Sequence, residues 1–321
     1  MAAPSAEAVK NIDKLKATFT NITAEIGKKI VGQDEVVEQI IIAILTDSNA
    51  LLESYPGLGK TSTIKAVAET MNLKFSRIQG TPDLMPSDIT GTYVIEEKDG
   101  KKVFKFQRGP LFANIVLVDE INRATPKTQA ALLEAMQEKQ VTVGNQTFEL
   151  ERPFFVLATQ NPIDQEGTYP LPEAQTDRFL LKIILNYPTI EQECEIVDRY
   201  TKPQENEQLQ QLLSAESIIL LQKLTRQVPI ANDIKRRAVE IVAKTRHVPE
   251  LIEYGASPRA SLGIVLAAKA KALMDGRKFV SAKDIDDMAL PVLRHRIVLS
   301  FKTERAGKSP DDIIREVLKS V

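Results

Sequence analysis

At 321 residues the chain is long enough for about two domains, each able to bury a core of its own. Its 42 Lys plus Arg stand against 43 Asp plus Glu, a formal net charge of -1, which leaves no global electrostatic footprint for nucleic acid or an anionic membrane. A single cysteine, Cys194, excludes an internal disulfide framework and a cysteine zinc cluster, and fits a reducing compartment.

The sequence starts Met1-Ala2-Ala3-Pro4-Ser5, without the charged-then-apolar pattern of an export signal. Its longest apolar runs, such as Ile40-Ile41-Ile42-Ala43-Ile44-Leu45, fall far short of the roughly 20 residues a membrane span needs. A cytoplasmic location with no membrane span is expected. From Ala6 to Gly27, Val9, Ile12, Leu15, Phe19, Ile22 and Ile26 recur at helical spacing and predict an amphipathic helix. Ile30-Val31-Gly32-Gln33 breaks it, and Asp34 is expected to cap a second helix through Val37, Ile40, Ile41 and Leu45. The turn at Val31 and Gly32 suits an adenine ring, and equally suits a plain helix–helix connection.

Next comes the stretch around which the chain is organised. Ala50-Leu51-Leu52 ends a buried strand, Ser54-Tyr55-Pro56-Gly57-Leu58-Gly59-Lys60-Thr61 makes a tight loop, and Thr61-Ser62-Thr63-Ile64 begins a helix. This order builds a triphosphate cradle. Pro56 stiffens it, Gly57 and Gly59 let backbone N–H groups approach phosphate oxygens, Lys60 reaches the β- and γ-phosphates, and the Thr61 hydroxyl ligates Mg²⁺. Ser54 stands where the pattern has its first glycine, a position at which a left-handed backbone would disfavour a side chain.

Lys74-Phe75-Ser76-Arg77-Ile78 predicts another strand, and Pro82 to Ile89 a short interrupted helix. Thr92-Tyr93-Val94-Ile95 and Lys102-Val103-Phe104-Lys105-Phe106, joined around Asp99-Gly100, form a hairpin that projects from the alternating strand–helix order. Such an insertion is either a partner surface or a packed edge. Ile115-Val116-Leu117-Val118 is a buried parallel strand ending in Asp119-Glu120, where a carboxylate at the strand tip can hold an Mg²⁺ shell and its neighbour can polarise a water. Thr125 to Glu138 is a helix with Ala130, Leu132, Leu133, Ala135 and Met136 inward, and a second hairpin turns through Gly144-Asn145. The strand Phe154 to Thr159 delivers Gln160-Asn161-Pro162, whose Asn161 is either a water- or phosphate-binding amide or a turn former before proline.

Leu171 to Leu180 predicts a short helix feeding the strand Leu181-Lys182-Ile183-Ile184, with Arg178 near the exposed end. Asn186-Tyr187-Pro188-Thr189 marks the domain boundary, and everything after it reads as helices, approximately 190–200, 215–226, 231–246, 258–274 and 282–295, with a last one from Pro310 to Leu318. No strand alternation is visible there.

Taken together, Tyr55-Pro56-Gly57-Leu58-Gly59-Lys60-Thr61, Thr81-Pro82-Asp83-Leu84-Met85-Pro86-Ser87-Asp88-Ile89-Thr90-Gly91, Val118-Asp119-Glu120-Ile121-Asn122-Arg123-Ala124, Ala158-Thr159-Gln160-Asn161-Pro162 and Ala256-Ser257-Pro258-Arg259-Ala260 resemble the MoxR family of AAA+ ATPases, in the clade with a β-hairpin insert in its second helix. The resemblance implies an α/β P-loop NTPase core with a parallel sheet and β-hairpin insertions over residues 1–187, an all-α lid over 188–321, and assembly into a ring, commonly a hexamer. It implies that ATP contacts Val31, Gly32 and the loop from Tyr55 to Ser62, and that Mg²⁺ meets Thr61 and Asp119. Lys60 and Asp119 are then catalytic with Glu120 as base and Asn161 as first sensor; Arg178 matches an arginine finger and Arg259 a second sensor. The implied work is remodelling or activation of a client protein, often alongside a von Willebrand factor A domain partner. A nucleic-acid motor or a metal-chelatase subunit uses the same core, but the balanced charge makes nucleic acid an improbable partner.

Overall fold

The structure, a computed structural model, describes residues 6–98, 101–163, 167–201 and 208–321. Helices α1 (Ala6–Gly27) and α2 (Asp34–Leu45), strand β1 (Ala50–Ser54), helix α3 (Lys60–Thr70) and strand β2 (Phe75–Gln79) open the fold. After α4 (Pro86–Thr90) come the hairpin β3 (Gly91–Lys98) and β4 (Lys101–Arg108), then β5 (Ile115–Asp119) and α5 (Pro126–Glu138). A second hairpin, β6 (Gln140–Val143) and β7 (Gln146–Glu149), precedes β8 (Phe155–Gln160), α6 (Glu173–Thr176) and β9 (Leu181–Leu185). The rest is α7 (Ile190–Thr201), α8 (Ala215–Gln227), α9 (Asn232–Lys244), β10 (Ile252–Tyr254), α10 (Pro258–Met274), α11 (Ala282–Leu293), β11 (Val298–Leu299), α12 (Phe301–Arg305) and α13 (Pro310–Ser320).

The five-stranded sheet runs in the order β2-β5-β8-β1-β9 and every pairing in it is parallel. Its strands alternate between two cores, as a sheet covered on both faces requires. Ala50, Leu52, Ile115, Leu117, Phe155 and Leu157 face α1, α2 and α3, whereas Leu51, Val116, Val118, Val156 and Ala158 face α5. The first core continues without a break into Ile218, Ile264, Ile285 and Ile313 of the C-terminal helices, so the lid is packed onto the sheet domain. Those helices start where serine offers a cap: the Oγ atoms of Ser214, Ser281 and Ser309 accept from backbone N–H groups three residues on. The last helix buries Ile313, Ile314 and Val317, so it is part of the lid's packing.

Some expectations need correction. Asp34 is the first residue of α2 and not its cap; the cap position belongs to Gln33, whose side chain is engaged elsewhere. Ala130 is exposed, because the inward face of α5 runs through Thr128, Gln129, Leu132, Leu133, Ala135 and Met136, one step off. The helical lid also carries a short antiparallel ribbon, β10 with β11, whose two or three residues per strand are too few to show alternation. The turn at Asp99-Gly100 and the side chains of Val9 and Ile12 lie outside the described residues.

Candidate functional site

The phosphate-sized loop leaves β1 at Ser54, which is buried and donates its hydroxyl to the Tyr55 carbonyl at 3.1 Å. Ser54 ends the strand without a left-handed backbone, so a side chain is tolerated there. Left-handed geometry is needed later, at Gly57 (φ 81°) and Gly59 (φ 77°), and Gly59 is the cap residue of α3. The helix therefore begins at Lys60, with its unpaired N–H groups facing the loop. Gln33 holds the loop in place: its Nε2 donates to the Leu58 carbonyl at 2.9 Å and its Oε1 accepts from the Thr63 hydroxyl at 2.7 Å. The Tyr55 ring stacks on Tyr187 with centroids 5.0 Å apart, joining the loop to the start of the lid.

Facing this loop is the tip of β5, all five of whose residues are buried. Asp119 Oδ1 lies 3.9 Å from Lys60 Nζ and accepts from the Thr159 hydroxyl at 2.7 Å; Oδ2 accepts from Arg77 Nη2 at 2.7 Å. Thr159 also accepts from the Glu120 N–H at 2.9 Å, so one hydroxyl positions both acidic residues. Glu120 sits in the left-handed region at φ 55°, a costly conformation for a glutamate that turns its carboxylate off the strand direction. That carboxylate accepts from Gln79 Nε2 at 3.0 Å and Arg123 Nη1 at 3.2 Å. Gly80 packs so closely that a Cβ there would lie 2.2 Å from the Glu120 carbonyl oxygen.

Lys60, Asp119, Glu120 and Asn161 thus come together at the carboxyl ends of β1, β5 and β8, with β8 lying between the other two. Asn161 Oδ1 accepts from the Ile163 N–H at 3.2 Å, the local turn geometry that the following proline suggests. Val31 and Gly32 form the turn before α2, and Gln192 of α7 covers it: a Cβ on Gly32 would meet the Gln192 amide at 2.4 Å. Arg178 and Arg259 lie elsewhere. They line one groove with Asn49, Leu133, Met136, Gln137 and Asp177. Asn49 precedes β1 and Arg178 precedes β9, so the groove is at the starting ends of these parallel strands. A strand of five residues spans about 17 Å at roughly 3.3 Å per residue. The two arginines are therefore a sheet's depth from the phosphate loop of their own chain.

Arg77, Gln79, Thr159 and Gln33 were not singled out from the sequence. The signal available was the spacing of Arg77 and Gln79, two residues apart on a strand and hence on one face; Gln79 pairs in register with Asp119.

The donor set fits a magnesium nucleotide. A helix N-terminus and an ammonium suit phosphate, and the Thr61 hydroxyl makes no hydrogen bond among the described residues. A parallel sheet with a glycine loop and an acidic strand tip in one crevice defines a P-loop nucleotide-binding fold carrying a helical lid.

Comparison with known proteins agrees. A profile described as "ATPase family associated with various cellular activities (AAA)" matches residues 49–181, and one described as "AAA lid domain" matches 244–317. Chaperone MoxR1 of Mycobacterium tuberculosis is 43% identical over 95% of this chain and 82% of its own length. Protein MoxR of Methylorubrum extorquens is 30% identical over 92% of each chain. A crystal structure described as a candidate ATPase of Cytophaga hutchinsonii superposes with a TM-score of 0.91 at 40% identity, covering 98% of this chain and 97% of that one. The chain belongs to the MoxR family of AAA+ ATPases.

Proposed function

We propose that the chain is an Mg²⁺-dependent ATPase that works as a ring of six copies, the family's usual form, and couples hydrolysis to remodelling of a client protein in the cytoplasm. The observation that carries this reading is the 3.9 Å approach of Lys60 Nζ to Asp119 Oδ1, with Glu120 one residue further on. Residues 1–187 act as the ATPase core and 188–321 as the lid.

In this reading Thr61 and Asp119 would hold Mg²⁺, which when bound would supply positive charge to offset that of the phosphates. The N–H groups of the loop and Lys60 bind the β- and γ-phosphates. Glu120 orients a water and takes its proton as the water oxygen bonds to the γ-phosphorus; the bond from that phosphorus to the bridging oxygen breaks and ADP leaves. Asn161 holds the water or the γ-phosphate by its amide. The base lies at Val31 and Gly32, beneath Gln192.

Arg178 and Arg259 serve the nucleotide of a neighbouring copy, since both open into one groove at the far side of the sheet from their own loop. A finger arginine is worth roughly 10³–10⁵ in rate, so hydrolysis belongs to the interface between copies. The projecting hairpin offers Ile95 and Phe104, 61% and 73% exposed, as a client surface. The printed name of the Mycobacterium relative, a chaperone, supports the remodelling role; a von Willebrand factor A domain protein is the partner proposed by family likeness. Phosphate release measured against protein concentration, with and without Mg²⁺, tests the proposal. A specific rate that rises with concentration and needs Mg²⁺ supports it, and no release under any condition removes it.

A further inference from the structure

The edge strand β2 sends two side chains onto the acidic tip of β5. Arg77 Nη2 lies 2.7 Å from Asp119 Oδ2, and the same nitrogen donates to Gln79 Oε1 at 2.8 Å. Asp119 is 8% exposed, and its other oxygen is already occupied by the Thr159 hydroxyl at 2.7 Å. The oxygen facing Arg77 is therefore the one whose partner can change. Arg77 is free to make that change, because its side chain remains 47% exposed and reaches Asp119 from the solvent side of the sheet edge.

We infer that Arg77 is a positioning residue that competes with Mg²⁺ for Asp119 Oδ2, and so sets how much free Mg²⁺ the site needs. The inference rests on the ATPase reading above. A guanidinium in hydrogen-bond contact and a divalent ion at the same carboxylate oxygen would repel each other, so each would weaken the other's hold on Oδ2. Binding of the ion displaces Arg77 toward solvent; removing Arg77 lowers the cost of that step. Gln79 braces the guanidinium, so loosening the brace acts in the same direction and more weakly.

The test uses the full chain carrying Glu120→Gln, with equilibrium binding of a fluorescent ATP analogue as readout and no dependence on turnover. Free Mg²⁺ is titrated, and its half-saturating concentration is read from the gain in nucleotide affinity. Arg77→Gln is expected to lower that concentration about three- to tenfold, the range between a solvent-exposed ion pair and a charge-assisted hydrogen bond. Affinity in EDTA stays unchanged. Arg77→Lys, which keeps the charge, stays near the parent, and Gln79→Leu moves part of the way, providing a second route should Arg77→Gln not fold. An unchanged or raised half-saturating concentration in Arg77→Gln and Gln79→Leu overturns the competition, as does loss of nucleotide affinity in EDTA. Failure of the ATPase reading looks different: the parent itself then binds no nucleotide, or binds it without any response to Mg²⁺.

Discussion

Asp177 Oδ1 lies 2.7 Å from Arg296 Nε, and this pair fastens the segment before the last core strand to the turn that follows α11 in the lid. Arg296 is almost wholly enclosed, its side chain 4% exposed, and it also donates to the carbonyls of Leu180 and Phe179 at 2.9 and 2.6 Å. Asp177 Oδ2 meanwhile accepts from the Ser257 hydroxyl at 3.1 Å and stands 3.6 Å from Arg259 Nη1. One carboxylate thereby positions the Arg259 guanidinium and braces the lid.

Asp177→Ala should leave the Arg296 charge buried with carbonyl partners only. Breaking a buried pair in this way costs about 3–5 kcal/mol, with the lower end expected here because Asp177 is partly solvated. Denaturant unfolding followed by circular dichroism measures it, and a change within error of zero would show that the carbonyls alone hold Arg296.

Arg178→Ala and Arg259→Ala should each bind nucleotide like the parent and hydrolyse it slowly, with Arg178→Ala losing about 10³ in rate. Mixing Arg178→Ala chains with Lys60→Ala chains should restore part of the activity. In the mixture an intact arginine from one copy meets an intact phosphate loop from the other. Absence of recovery at every mixing ratio argues against service to a neighbour.

Glu120→Gln keeps the amide contact with Gln79 within reach but removes the base. Nucleotide affinity should persist while the rate falls about 10²–10⁴-fold, the usual contribution of a positioned base. Turnover at the parental rate would assign the proton transfer to another group.

His295 gives the lid a dependence on acidity. It is half-buried between Arg294 and Arg296, with Nε2 3.0 Å from the Phe179 carbonyl, and desolvation followed by the Arg296 charge holds its pKa well below the ordinary value of 6.5. The folded chain therefore binds this proton less readily than the unfolded chain, and stability rises with pH wherever the unfolded histidine is still protonated. The contribution is whole above about 6.5 and is lost as pH falls from there toward the folded pKa. Thermal melting from pH 8 to pH 5 should show a decline that His295→Asn reduces; an identical slope in both proteins would place the acid sensitivity elsewhere.

Much of this architecture was legible in the residues because it is punctuated locally. Ile115-Val116-Leu117-Val118 is a short apolar run bounded by polar residues, and Gly57, Gly59 and Lys60 mark a tight loop between a strand and a helix. What stayed hidden depends on register and direction. Arg77 acquires its partner only because β2 lies beside β5, and Arg178 with Arg259 face away from their own loop only because β1 and β9 run in parallel. Neither fact is written in a short stretch of chain. The same holds for Gly80, whose need for a missing side chain comes from the carbonyl of Glu120, distant in sequence.

Gln33 has a wider consequence than its two hydrogen bonds suggest. Because its amide grips both Leu58 and Thr63, the turn at Val31 and Gly32 is clamped at a fixed distance from the first turn of α3. If that turn takes the base and that loop the phosphates, as proposed above, one amide sets the spacing between the two before any ligand arrives. On that proposal a nucleoside or a bare polyphosphate would engage only one end of the span, and a nucleotide of matching length both.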